Sequence, residues 1–319
     1  MDMHGIDVLI SEVGPRDGLQ SVASVMPTDA KKVWIAALAD AGLREIEVGS
    51  FVPAKVLPQL ADTAEIVAYA RTLPGLQVAA LVPNLKGAEN AIAAGAQKIT
   101  FPLSVSETHS QKNLRMTHAQ AFEQVKGITA LVASLPADKR PHFEGSLSTA
   151  FGCTLEGEVP LAKLVKVAET LMSLGCDEVG LADTTGYANP TQVKLTITEI
   201  WKAVGKDALT GIHLHNTRGL GLANVLAAME TGLTTFDSSQ GGLGGCPFAP
   251  GASGNIVTED LVFMLDSMGL RTGIDLEKLL KVREIVKKAL PKEELYGFTP
   301  DAGVPLRYVQ GGRGWGLRA

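Results

Sequence analysis

The sequence has few of the features that mark membrane proteins or nucleic-acid-binding proteins. Its 29 basic and 34 acidic side chains give a net charge of −5, and no basic cluster is present of the kind that binds nucleic acid by counterion release. No apolar stretch reaches the roughly 20 residues that span a membrane, and the N-terminal MDMHGIDVLISEV lacks the basic region of a signal peptide. These absences predict a globular cytoplasmic protein without nucleic-acid or membrane partners.

Cysteine is also scarce, and its three positions, Cys153, Cys176 and Cys246, are too scattered for a disulfide framework. Cys153 and Cys176 lie near regular elements and are predicted to be packing residues. Cys246 lies in GGLGGCPFAPGASGN (241–255), where the glycines predict a mobile loop. A cysteine on such a loop suits a general acid or base on a closing lid, although the same glycines could instead cradle a phosphate.

What the sequence does contain is a regular alternation of short β-rich runs and longer helical patterns. Eight runs are predicted strands: 8–13, 44–50, 77–82, 98–103, 142–149, 178–184, 211–216 and 234–239. Helices are predicted to follow them, for example at 28–41, 58–71, 160–174, 190–204 and 255–268, because proline precedes or opens most of them and glycine follows several.

Eight such pairs predict a single α/β domain, a (β/α)8 TIM barrel over residues 1–270. A doubly wound open sheet is the rival, but no G-x-G-x-x-G follows the first strand. Residues 271–319 are predicted to add a helix at about 274–289 and a glycine-rich tail, packed on the barrel or on a dimer partner.

Polar residues are unusually frequent at the predicted carboxyl ends of the strands, where the active sites of such barrels lie. They include Glu12, Arg16, Asp17, Gln20, Glu47, Asp183, Thr184, His213 and His215. His213 and His215 are two residues apart on one strand, so both imidazoles should lie on the same face. With the Asp17 carboxylate and the Asn255 amide oxygen, they form a set that suits Mg²⁺ or Mn²⁺ better than structural zinc.

Arg16 is the one cation among these strand ends. Its guanidinium could donate a fork of hydrogen bonds to a substrate carboxylate, or to a carbonyl that gains negative charge. The alternative is a structural ion pair with Glu12 or Glu47.

Several segments resemble the 3-hydroxy-3-methylglutaryl-CoA lyase family, which belongs to a group of barrel metallolyases that also includes the isopropylmalate and homocitrate synthases. They are SEVGPRDGLQ (11–20), IEVGSFVPAKVLPQLAD (46–62), PNLKGAENAIAAGA (83–96) and DSSQGGLGGCPFAPGASGNIVTEDLV (237–262). The resemblance spans about residues 7–290. Because the condensing synthases of the group lack the GGCP cysteine, the loop favours cleavage over condensation.

The resemblance implies roles for individual residues. Asp17, His213, His215 and Asn255 match metal ligands, Arg16 matches the arginine that stabilises an enolate, and Cys246 matches a cysteine of proton transfer. Glu47 and Asp183 match acidic residues of the active site, and Gln20 matches a neighbouring residue on the substrate side. The implied reaction is a retro-Claisen cleavage of an acyl-CoA to acetyl-CoA and a keto acid, with acetoacetate as the product, in an enzyme that is a homodimer.

The chain also departs from the family pattern. It has Asn216 where the family's HCHD motif ends in a carboxylate, and Gln240, Gly241, Phe248 and Pro250 interrupt the loop motif. The segments 101–107 and 144–157 differ where the acyl portion would lie. A citramalyl-CoA or a longer 3-substituted glutaryl-CoA is therefore an alternative substrate. A 2-oxo acid condensing enzyme and a catalytically silent acyl-CoA-binding barrel are the other hypotheses.

Overall fold

The computed structural model describes residues 5–244, 254–306 and 308–310. Eight parallel strands close into a barrel in sequence order, as the alternation predicts. They are β1 (Leu9–Glu12), β2 (Glu45–Ser50), β3 (Gln77–Leu81), β4 (Lys98–Ser104), β5 (His142–Ser148), β6 (Glu178–Asp183), β7 (Gly211–Leu214) and β8 (Thr235–Ser238). The predicted (β/α)8 fold is confirmed.

Helices cover the outside of the barrel. In the described residues they are α1 (Thr28–Asp40), α2 (Thr63–Ala70), α3 (Leu85–Ala94), α4 (Glu107–Asn113), α5 (His118–Ser134), α6 (Leu161–Ser173), α7 (Pro190–Val204), α8 (Gly221–Thr231), α9 (Thr258–Ser267), α10 (Leu276–Ala289) and α11 (Phe298–Ala302). None of the described helices is long and apolar enough to cross a membrane.

The helix boundaries follow local signals in the sequence. Asn84 caps α3 by accepting a hydrogen bond from the Gly87 N–H at 2.9 Å, and Gly95 ends that helix in the left-handed conformation. Two predicted helices are shorter than expected. The segment 58–71 divides into a 3₁₀ turn, Pro58–Leu60, and α2, and the segment 255–268 becomes helical only at Thr258.

The predicted C-terminal helix forms as α10 and packs against the barrel. The Asp275 N–H donates to the Ala41 carbonyl at 2.7 Å, just after α1, and Leu276 and Leu279 are fully buried. The described part of the appendage therefore lies on the barrel of its own chain. Its division from the barrel at residue 270 stays a prediction.

The interior of the barrel contains small and charged side chains as well as apolar ones. Barrels of this type are normally filled by layers of bulky branched residues. Here the residues that line the inner cavity include the small Ser11, Ala79, Thr100, Ser146, Gly180, Ala182 and Gly211, together with the charged Glu45, Lys98, Glu144 and Glu178. An inner space consequently continues from the carboxyl ends of the strands into the barrel.

Candidate active site

A cavity of about 720 Å³ opens at the carboxyl ends of the strands. The predicted site residues that line it are Arg16, Asp17, Gln20, Glu47, His213 and His215. The structure thus brings together side chains from the first, second and seventh βα units, although they are up to 199 positions apart in the sequence. Barrel closure explains this, because parallel strands present all their carboxyl ends at one face.

Asp17, His213 and His215 form a group that could hold a metal ion. One ligand atom from each lies within 4.8 Å of the others. Asp17 lies on the π-helical turn Gly14–Gly18 that directly follows β1, and the two imidazole centroids are 5.0 Å apart at the end of β7. The predicted same-face arrangement of the two histidines is therefore present.

Asn255 joins this group through the backbone that follows β8. It forms an isolated β-bridge with His215, and its Nδ2 donates to Asp17 Oδ2 at 2.7 Å and to the Leu243 carbonyl at 3.0 Å. Asn255 Oδ1 and His215 Nδ1 are buried without a hydrogen-bond partner among the described residues. The Asn255 amide oxygen is a buried acceptor on a side chain that contacts the Asp17 carboxylate, and a bound cation would satisfy it, so the residues fit a metal.

The electrostatics keep the Asp17 carboxylate ionised. Burial alone would raise its pKa, but the Arg16 charge and the neighbouring imidazoles of His213 and His215 outweigh burial and hold the pKa of Asp17 well below its usual range. An anionic ligand is thus available throughout the physiological pH range.

Asp237 on β8 is a residue that the sequence reasoning missed. His213 Nδ1 lies 3.1 Å from Asp237 Oδ2. Ligand histidines commonly hydrogen-bond a carboxylate through the nitrogen that does not face the ion, which fixes the orientation of the ring. Its inward placement follows from the pairing of Asp237 with His213 on neighbouring strands, which the sequence of β8 alone does not reveal.

Arg16 forms the ion pair that sequence analysis gave as the alternative, yet it also lines the cavity. Its Nε donates to Glu47 Oε2 at 2.5 Å and its Nη1 to Asp17 Oδ1 at 2.6 Å. The two readings are compatible, because these carboxylates fix the guanidinium at the wall of the cavity.

Glu47 and Gln20 complete this side of the site. Burial raises the pKa of Glu47 although Arg16 opposes the shift, and Glu47 Oε1 is buried without a partner among the described residues. Gln20 Nε2 donates to Asp17 Oδ1 at 2.7 Å. Gln20 therefore orients the carboxylate ligand as well as lining the cavity.

Asp183 is placed differently from the other predicted residues. It pairs in register with Leu214, whereas its neighbour Ala182 pairs with the inward-facing His213. Its oxygens accept hydrogen bonds from the Tyr187 N–H at 2.9 Å and the Ala188 N–H at 3.2 Å, and it is not among the residues that line the cavity. Asp183 thus holds the loop between β6 and α7, and a catalytic role for it stays a prediction.

Cys246 lies outside the described residues, but both flanks of its segment lie at the site. Gly244 has φ +104°, and a Cβ there would lie 2.6 Å from Asn255 Nδ2 and 2.9 Å from Asp17 Oδ2. A Cβ on Gly254 would lie 2.0 Å from the Gly242 carbonyl oxygen. Glycine is required at both positions because the backbone at Gly244 lies against Asn255 and Asp17, and the backbone at Gly254 lies against Gly242.

Two buried carboxyl groups, those of Glu12 and Glu259, hold the backbone that follows β8 in place. Glu12 Oε1 accepts hydrogen bonds from the Gly14 N–H at 2.9 Å and the Gln240 N–H at 2.8 Å, and Glu12 Oε2 accepts one from the Thr258 hydroxyl at 2.6 Å. Burial raises the pKa of Glu12 to about 8. Glu259 Oε2 accepts from the Gly241 N–H at 3.0 Å. These bonds tie β1, the end of β8 and α9 together around the site.

Comparison with known proteins gives a consistent assignment. The HMGL-like family model matches residues 7–286. The mitochondrial hydroxymethylglutaryl-CoA lyase of Mus musculus is 42% identical over 286 residues, which are 90% of this chain and 86% of that protein. Hydroxymethylglutaryl-CoA lyase YngG of Bacillus subtilis is 40% identical over 295 residues, with 91% of this chain and 97% of the relative covered.

A solved structure shares the whole architecture. It is an HMG-CoA lyase from Acinetobacter baumannii in complex with coenzyme A and 3-methylmalate, at 41% identity and a TM-score of 0.88, with 95% of this chain and 97% of that chain covered. The chain therefore belongs to the HMGL-like family and is homologous to the hydroxymethylglutaryl-CoA lyases.

Proposed function

We propose that this protein is a carbon–carbon lyase that cleaves 3-hydroxy-3-methylglutaryl-CoA to acetyl-CoA and acetoacetate. The observation that carries the proposal is the grouping of Asp17, His213 and His215. Their ligand atoms lie within 4.8 Å of one another, in a cavity that Arg16 also lines. The names of the relatives, at about 40% identity over most of the chain, support the same reaction.

We infer that the cofactor is Mg²⁺ or Mn²⁺, held by Asp17, His213, His215 and Asn255. Two nitrogen and two oxygen donors would suit a divalent ion of this kind, which binds imidazole, carboxylate and amide oxygen ligands. When bound there, such an ion would supply Lewis acidity that makes the tertiary hydroxyl of the substrate easier to deprotonate.

We propose that Arg16 stabilises the negative charge that develops on the thioester oxygen during cleavage. The bond between C2 and C3 breaks, its electron pair moves toward the thioester carbonyl, and C3 becomes a ketone as its hydroxyl loses a proton. A guanidinium held by Glu47 and Asp17 is already oriented at the wall of the cavity, so it can donate to the enolate oxygen with little reorganisation.

Two proton transfers remain, and we assign them to different residues. Glu47 is the better base for the hydroxyl proton, because its Oε1 has no hydrogen-bond partner in the described part of the chain and burial raises its pKa toward neutrality. Asp183, by contrast, has both oxygens occupied by backbone N–H groups. Cys246 donates the proton that converts the enolate carbon to the methyl group of acetyl-CoA, and Gln20 keeps Asp17 oriented.

The remaining partner predictions belong to this proposal. The substrate is an acyl-CoA whose coenzyme portion lies at the open mouth of the cavity. We expect a homodimer, as the family resemblance implies, and a cytoplasmic location with no nucleic-acid or membrane partner, as the sequence predicts.

The direct experiment is to incubate the purified protein with 3-hydroxy-3-methylglutaryl-CoA and Mg²⁺ or Mn²⁺ and to quantify both products. Equal amounts of acetyl-CoA and acetoacetate support the proposal. Consumption of acetyl-CoA in the presence of 2-oxo acids, without cleavage of the acyl-CoA, would instead identify a condensing enzyme.

A further inference from the structure

We propose that the site accepts an acyl group larger than 3-hydroxy-3-methylglutaryl, with a C3 substituent that is longer than methyl and ends in an uncharged hydrogen-bonding group. The inference rests on the proposed lyase activity and concerns the chamber beneath the candidate metal site. This chamber is the part of the cavity between His213 at the top and Lys98 at the bottom.

Small side chains on neighbouring strands form one wall of the chamber. Ser146 on β5 pairs with Gly180 on β6 and with Pro102 on β4, and Ala182 pairs with His213. The Glu144 carboxyl lies level with Gly180, which pairs with Ser146, so from Ser148 to this floor the wall of β5 runs over two residues, or about 7 Å along the strand. A single methyl group next to the metal would leave part of this depth unfilled.

Gly180 makes room for the Glu144 carboxyl at the floor of this space. A Cβ at Gly180 would lie 2.2 Å from Glu144 Oε1, so the absence of a side chain lets Glu144 lie against the barrel wall. With any larger residue at this position, the Glu144 carboxyl would have to move.

A buried charge cluster forms the floor of the chamber. Lys98 Nζ lies 2.8 Å from Glu144 Oε2, 3.0 Å from Glu178 Oε1 and 3.6 Å from Glu45 Oε1. One lysine faces three carboxyl groups, so the floor does not attract an anion. Burial raises the pKa of Glu144 to about 7, which lets this carboxyl both donate and accept hydrogen bonds near neutral pH.

These charges select which arm of the substrate points downward. The thioester arm leads to coenzyme A and must leave through the mouth. The carboxylate arm is anionic and is disfavoured by the carboxyl groups of the floor. The third substituent of C3 is left for the chamber, whose walls offer the hydroxyl groups of Thr100 and Ser146.

The test compares three synthetic 3-hydroxyglutaryl-CoA substrates whose C3 substituents are methyl, 3-hydroxypropyl and 2-carboxyethyl. We expect kcat/KM for the hydroxypropyl compound to equal or exceed that for the methyl compound, and to be at least tenfold higher than for the carboxyethyl compound. Cleavage of the methyl compound alone would overturn the inference and leave the lyase function standing. Cleavage of none, with metal bound, would overturn both.

Variants test whether the chamber determines this substrate preference. Ser146→Leu fills the chamber, so it should lower the ratio of kcat/KM for hydroxypropyl over methyl at least tenfold, whereas Ser173→Leu on the exposed face of α6 should leave that ratio unchanged. Gly180→Ala, which displaces Glu144, should lower the ratio in the same direction if Ser146→Leu fails to fold. A ratio that neither folded chamber variant alters would contradict the inference.

Discussion

At the scale of single residues, the metal site is the part that sequence reasoning reaches best. His213 and His215 share a face because strands alternate with period two, and Asp17 follows a strand end. Asp237 and Asp183 show the limit. Whether each points into the barrel depends on register with β7, where His213 pairs with Asp237 and Leu214 pairs with Asp183. Register arises from closure of the whole barrel and cannot be read from one strand.

Replacement of Asp17 by asparagine should weaken metal binding because it removes the anionic ligand. We expect the affinity for Mn²⁺ to fall about 100-fold or more, since even changes to groups that only orient a ligand cost about 10- to 100-fold. Isothermal titration with Mn²⁺ measures this, with the exposed Asp29→Asn as the matched control. Equal affinities of the two variants would reject Asp17 as a ligand.

Cys246→Ser should lower kcat while Mn²⁺ affinity stays at the wild-type value. A thiol that donates a proton in the reaction contributes about 100- to 10,000-fold, and the hydroxyl of serine is a much weaker acid. Steady-state cleavage of 3-hydroxy-3-methylglutaryl-CoA gives the value. A variant with undiminished kcat would show that another group protonates the enolate.

At the scale of elements, the eight βα units are predictable because proline, glycine and apolar periodicity give local signals. The connection between β4 and β5 is less predictable, because two helices, α4 and α5, lie there in place of a single crossover helix. The first part of the predicted helix 58–71 does not join α2, and the structure shows the reason. Thr63 Oγ1 donates to the Leu60 carbonyl at 2.7 Å and accepts from the Ser50 N–H at 3.1 Å, so the chain turns there before the helix begins.

The packing of α10 on the barrel can be tested by mutation. Leu279 is fully buried, and its truncation in Leu279→Ala should lower the free energy of unfolding by about 2–5 kcal/mol, through lost burial and the cavity left behind. Urea denaturation measures the change. Lys281→Ala, at an exposed position of the same helix, should change stability by less than about 0.5 kcal/mol. Similar values for both variants would mean that α10 is not part of the cooperative unit.

At the scale of the whole molecule, buried carboxyl groups make stability depend on pH. Burial raises the pKa of Glu12 to about 8 and that of Glu259 to about 7. A raised pKa means that the folded state holds the proton more tightly than the unfolded chain, so the stabilisation is complete below about pH 4.5 and is lost as the pH rises toward 8. The lowered pKa of Asp17 acts only at acid pH.

We therefore expect the free energy of unfolding, measured with a chelator present, to fall between pH 5.5 and pH 8.5. The slope is at most about 1.4 kcal/mol per pH unit for each carboxyl that titrates. Glu12→Gln removes one of these groups and should make the fall shallower. Parallel pH profiles for the variant and the wild type would show that Glu12 does not carry this proton linkage.

The central claim is that metal bound by the Asp17, His213 and His215 group enables carbon–carbon cleavage. The most direct measurement is to titrate the chelator-treated protein with Mn²⁺ while following acetoacetate formation from 3-hydroxy-3-methylglutaryl-CoA. We predict that activity rises from background and saturates when one ion is bound per chain. Full turnover without metal, or one bound ion per chain with no acetoacetate formed, would contradict the account.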